Sequence, residues 1–174
     1  MAVRKIVKYG IPSLREKSKE VHKFSQKIKV LAKDLLDTMY VNNGVGLAAP
    51  QVGENIRMFV IDTSTGDEAL SPLVFINPKI IKKSGAVIRE EGCLSFPAAY
   101  GKPFIMEAKD GSLLAIAIQH ENDHLDGILF IDHTTNRFEA DEILAKNNLP
   151  PVEVDKIIDE PELEAELGKT NKND

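Results

Sequence analysis

The sequence predicts a single domain that mixes helices with short strands, and three observations carry that expectation. Two stretches, one from about Phe24 to Tyr40 and one leading into Gln119 to Gly127, repeat their apolar residues at helical spacing. Between them lie short runs rich in β-branched and aromatic residues, bounded by turn formers. The chain of 174 residues has room for one sizeable core and is too short for two full domains.

Residues 3–21 mix basic and apolar positions around Gly10-Ile11-Pro12, which predicts an extended segment with a turn. In the first helix Phe24, Ile28, Leu31, Leu35 and Met39 step by 4, 3, 4 and 4, and Asn42-Asn43-Gly44 ends it. Gly44 to Gln51 then gathers small residues around one amide side chain, with glycines that let backbone approach another group closely. It lacks the Lys-Ser/Thr ending of a phosphate loop. Strands are expected at 57–62 and 73–77, and a hairpin of Lys79 to Lys83 with Ala86 to Arg89 around Ser84-Gly85. A short strand at 103–107 precedes Asp110-Gly111, and Ser112 is placed to cap the second helix, which Gly127 stops. Asn147 to Pro151 marks the edge of the core, giving a domain over 1–147 and an acidic C-terminal tail over 148–174.

Hydrophobic content of 43% with 28% charged residues is ordinary for a globular protein. No run of eighteen apolar residues and no secretory leader is visible, so the cytoplasm is the expected location and no membrane is involved. Cys93 is the only cysteine, which rules out an internal disulfide. The net charge of −5 argues against nucleic-acid binding as the main activity. That charge is uneven: Glu139 to Asp174 holds eleven acids and four lysines, a balance of −7 that leaves +2 for the rest.

The chemistry is concentrated in Gln119 to Gly127, where His120, Glu121 and His124 stand in the order His-Glu-x-x-His. Residues four apart on a helix share one face, so both imidazoles can hold one metal ion, with Glu121 beside them to handle protons of a water. A further ligand is needed: Cys93, a carboxylate or another histidine. His22 and His133 read as surface residues, and Cys93 is preferred because a thiolate binds zinc or ferrous iron strongly. Three protein ligands leave a fourth position open for water, as in catalytic sites. The Gln51 amide and the Leu94 backbone N–H are candidates to stabilise a developing oxyanion. These parts suit hydrolysis of an amide.

Three segments together resemble peptide deformylase: Gly-x-Gly-Leu-Ala-Ala-x-Gln at Gly44 to Gln51, Glu-Gly-Cys-Leu-Ser at Glu91 to Ser95, and Gln-His-Glu-x-Asp-His-Leu-x-Gly at Gln119 to Gly127. The resemblance spans most of residues 4–135 and implies an α+β fold, with antiparallel sheets wrapped around the metal-bearing helix. It implies removal of the formyl group from N-formylmethionine of nascent bacterial polypeptides, with release of formate. Carried over by position, Cys93, His120 and His124 bind the metal, Glu121 is general acid/base, and Gln51 and Leu94 hold the formyl oxygen. Val45, Gly46 and Gly92 then lie along the peptide, and Leu113, Ile116 and Glu91 near the methionine pocket. The implied metal is Fe(II), replaceable by nickel, cobalt or zinc.

Two features depart from that pattern. The 26 residues between Cys93 and His120 are fewer than the family usually has. The shortfall falls after Cys-Leu-Ser-x-Pro, where an arginine normally pairs with the glutamate at the Glu91 position. A shorter segment threatens that pairing, exposes a strand edge and makes an impaired, deformylase-like protein one alternative; a zinc endopeptidase is the other. The acidic tail is the second departure, because a segment of −7 is repelled by RNA phosphates; a transient ribosome contact is compatible with the resemblance but not through this end, and no direct nucleic-acid function is expected.

Overall fold

The computed structural model describes residues 2–63, 72–81, 87–96, 100–106, 112–134 and 137–156. Its centre is an antiparallel three-stranded sheet of β1 (Gly46–Ala48), β2 (Met58–Ile61) and β3 (Leu73–Ile76), in the order β1-β2-β3. Gly46 pairs with Ile61 on one side of β2, and Ile61 with Leu73 on the other. Alternate side chains of β2 point to opposite faces, and both faces are covered. Met58 and Val60 pack with Leu31, Leu35 and Met39 of helix α1 (Gln26–Val41), while Phe59 and Ile61 pack with Ala117 and Leu125 of helix α2 (Leu113–Leu125). The sheet is thus sandwiched, which explains why Met-Phe-Val-Ile reads as an unbroken apolar run rather than an alternating one. Phe59 is fully buried and stacks on Phe75 at 4.6 Å, a contribution of about 3–5 kcal/mol relative to alanine.

Helix α1 starts later than its periodicity suggests. Ser25 is the N-cap and Phe24 lies outside the helix, 70% exposed, so the apolar stripe begins at Ile28. Asn42 caps the other end and Asn43 takes a positive φ of 54°, as the Asn-Asn-Gly run predicts. The expected hairpin around Ser84-Gly85 falls partly on residues 82–86, outside the described set. Residues 79–81 carry no strand, and β4 (Val87–Gly92) pairs instead with β5 (Tyr100–Met106), which begins three residues before the expected 103. β-Propensity marks a run as strand-like without naming its partner.

Helix α2 is capped at both ends as expected. Ser112 Oγ accepts from the Ala115 N–H at 3.2 Å. At the far end Ile128 N–H reaches Asp123 O (3.0 Å) and Gly127 N–H reaches His124 O (3.4 Å), the two bonds of a Schellman motif. Gly127 has φ 73°, and a Cβ there would run into the backbone carbonyl of Arg15. Two single-turn 3-10 helices, Pro12–Arg15 and Phe130–His133, brace this end. Arg15 forks onto both oxygens of Asp132 (2.5 and 3.0 Å) and lies over the Tyr9 ring, while Asp132 Oδ2 also accepts from the Leu129 N–H.

The sequence reading placed no element between 132 and 146, where helix α3 (Arg137–Lys146) lies; its one buried residue, Leu144, leaves little periodicity to read. Beyond Asn147, Val152 is buried, its N–H donates to Asp141 Oδ1 (2.7 Å), and Tyr9 Oη donates to Pro151 O (3.0 Å). No helix among the described residues is long and apolar enough to cross a membrane.

Candidate metal centre

Helix α2 delivers His120 and His124 one turn apart on one face, with ring centroids 5.0 Å apart. The turn after β4 delivers Cys93, which is buried, with Sγ 3.3 Å from His124 Nε2. One donor atom from each of Cys93, His120 and His124 lies within 4.8 Å of the others. Two donors at 2.0–2.3 Å from one tetrahedral ion stand roughly 3.3–3.8 Å apart, a separation that the Cys93–His124 pair has, and the soft S, N, N donor set suits a small divalent cation. Complete burial, with smaller contributions from His120 and Arg15, holds His124 well below the ordinary imidazole pKa. Its ring is therefore neutral near pH 7, the form that donates a lone pair to a metal.

Glu121 is buried and lies against the backbone of β1. A Cβ at Gly46 would overlap its Oε1, Cδ and Cγ, so glycine is required there by close approach rather than by φ. The resemblance assigned Gly46 to substrate; the geometry adds that it makes room for the carboxylate. Gly46→Ala is accordingly expected to lower kcat on the order of 10²-fold through displacement of Glu121, read in steady-state kinetics, with metal content unchanged.

Gln51 is 1% exposed in the 3-10 turn Ala49–Val52. Its Oε1 accepts from the Ala48 N–H at 2.8 Å, which orients the amide so that Nε2 faces Cys93 Sγ (3.4 Å) and Ser95 Oγ (3.3 Å). Leu94 follows Cys93, partly buried, and its carbonyl accepts from Lys8 Nζ at 3.1 Å. The Gln51 amide therefore borders the thiol directly, and Leu94 follows it in the chain.

The remaining candidates spread outward. Val45 is 40% exposed, its carbonyl accepts from the Asp62 N–H (2.9 Å), and Gly92, exposed, ends β4 opposite Tyr100. Ile116 is buried in the same core cluster as Cys93, whereas Leu113, one turn earlier, is exposed. Glu91 pairs through its backbone with Gly101, and its side chain lies outside the described set.

Two partnerships were not visible in the sequence. Ser95, completely buried, accepts from Gln51 and so helps hold the amide; only its place beside Cys93 could have hinted at this. His133 is no surface residue: its side chain is 9% exposed and its Nε2 lies 3.0 Å from Asp123 Oδ2, because the Phe130–His133 turn folds back on α2. His22 is exposed, as expected.

Comparison with known proteins follows the same segments. The family model described as Polypeptide deformylase matches residues 3–103 and 99–139. Its two pieces meet at 99–103, inside the connection that is short here. A peptide deformylase of Clostridium botulinum is 46% identical over 154 residues, covering 79% of this chain and all of that protein. Part of that relative has no counterpart here, since 79% of a 174-residue chain falls short of 154. A peptide deformylase of Brucella suis is 42% identical, covering 84% of this chain and 92% of the relative. Among solved structures, the peptide deformylase of Synechococcus elongatus in complex with actinonin superimposes with a TM-score of 0.76 at 37% identity, covering 88% of this chain and 91% of that one. That of Thermotoga maritima gives 0.68 at 34% identity, covering 78% and 100%.

Proposed function

The chain belongs to the peptide deformylase family, and on that footing we propose a role for each residue of its site. The reaction is hydrolytic removal of the formyl group from N-formylmethionine of nascent polypeptides, and it is metal-dependent. The convergence of Cys93, His120 and His124 supports these three as the ligands. When bound there, a divalent cation polarises the formyl carbonyl and lowers the pKa of water toward neutrality.

The other steps belong to the chain. Glu121, beside the ligands, accepts a proton from the attacking water as its oxygen bonds to the formyl carbon. The carbonyl electrons move onto oxygen, where Gln51 Nε2 and the Leu94 N–H donate to the developing charge. Glu121 then passes the proton to the methionine nitrogen as the C–N bond breaks, leaving formate and a free amine. Val45, Gly46 and Gly92 line the peptide backbone, with Leu113, Ile116 and Glu91 beside the methionine side chain. Iron(II) is proposed as the native ion, with zinc, nickel or cobalt as replacements, since thiolate and imidazole accept all four. The enzyme works in the bacterial cytoplasm, at no membrane.

The assay pairs a formyl-Met peptide with its unblocked counterpart. Formate release without internal cleavage is the expected result; cut peptide bonds without formate indicate an endopeptidase and overturn the reading. One observation favours a second reading, a deformylase fold with impaired turnover: the family match breaks at 99–103. Metal-loaded protein that releases no formate establishes that alternative.

A further inference from the structure

Cys93 Sγ meets a second polar group besides His124. Gln51 Nε2 donates to it at 3.4 Å, and both residues are buried. The amide is held from both ends: its Oε1 accepts from the Ala48 N–H at 2.8 Å, and its Nε2 also donates to Ser95 Oγ at 3.3 Å, with Ser95 fully buried. A flipped amide would set Oε1 against the sulfur, acceptor facing acceptor, and leave the buried Ala48 N–H without its partner. The backbone beneath is fixed as well. The Val7 N–H donates to Gln51 O (2.8 Å), the Tyr9 N–H to Ser95 O (3.0 Å) and the Phe96 N–H to Cys93 O (2.8 Å). The sulfur therefore faces an amide N–H that is oriented in advance, in a place where water has little access.

We propose that Gln51 has a second task besides holding the formyl oxygen: its N–H bond to Cys93 Sγ sets how much negative charge the thiolate gives to the bound cation. The inference rests on the reading that Cys93 is a ligand. A ligating thiolate keeps lone pairs that do not point at the metal, and an N–H aimed at one of them holds electron density on the sulfur. Gln51 thereby keeps the cation a stronger Lewis acid toward the formyl carbonyl and toward water. The two tasks do not compete. Nε2 carries two protons, so one stays on the sulfur while the other passes from Ser95 Oγ to the formyl oxygen. If the amide merely filled space beside the thiol, an apolar side chain of similar size would serve as well, and Gln51→Leu separates the two cases.

The test uses the full chain loaded with cobalt(II), whose sulfur-to-metal charge-transfer band reads the thiolate directly. Formate release cannot separate the two tasks of Gln51, because the loss of either lowers it. Removing the N–H raises the energy of the sulfur lone pair. Gln51→Leu, and Gln51→Asn with its amide a methylene shorter, are therefore each expected to move the band to longer wavelength at unchanged cobalt content. A band that stays in place in a variant holding its full cobalt overturns the proposal. Unmodified protein loaded with cadmium-113 gives a reading that needs no variant: scalar coupling between the metal and a Gln51 side-chain amide proton, carried through the N–H···S bond, is expected, and its absence overturns the proposal. Unmodified cobalt protein that lacks the charge-transfer band altogether would instead remove Cys93 from the ligand set and defeat the site assignment itself, an outcome distinct from a band that is present but unmoved.

Discussion

Glu121→Gln is expected to reduce kcat by roughly 10²–10⁴-fold, the range for losing a positioned general acid and base. Metal content should stay at the unmodified level, because Glu121 is not among the three converging donors. Glutamine matches glutamate in size, so the close fit against Gly46 survives and the loss reports proton transfer alone. Steady-state kinetics beside metal analysis separate the two effects. If metal and activity disappear together, Glu121 holds the ion or its fold, and the assignment fails.

Asp132→Asn is expected to destabilise the protein by about 3–5 kcal/mol, the usual cost of removing one partner of a buried ion pair. The side chain of Asp132 is 2% exposed and that of Arg15 13%, so water cannot replace the lost carboxylate well. Asparagine retains one acceptor for Leu129 or for Arg15 but not the charge that both use. Because Arg15 also braces Gly127 at the end of α2, this lesion lies beside the metal-bearing helix. Urea unfolding of the metal-free protein measures it; a change below about 1 kcal/mol, the range of a surface pair, would show the pair to be solvated in solution.

Much of the site could be read before any coordinates, because its chemistry is local in sequence. His120 and His124 are fixed relative to each other by helical geometry, and Cys93 is the only thiol available to join them. That helices mix with short strands was legible for a similar reason, since each long helix and the β2 and β3 strands announce themselves by spacing or composition, whereas the α+β class came from the family resemblance. Contacts between distant residues were not. Arg15 meets Asp132 across 117 positions, and Gln51 meets Ser95 across 44, and nothing in either residue's neighbourhood names its partner. His133 looked exposed because only the fold back onto Asp123 buries it. Phe24 misled in the opposite sense, continuing a helical spacing to the residue just before the N-cap Ser25. β4 found β5 rather than the nearer segment before residue 82, a choice that propensity cannot make.

X-ray absorption at the metal edge of the loaded protein tests the centre most directly. A shell of one sulfur at about 2.3 Å with two imidazole nitrogens at about 2.0–2.1 Å is predicted for zinc-loaded protein. A shell containing only nitrogen and oxygen would mean that Cys93 stands apart from the ion, and would contradict the account.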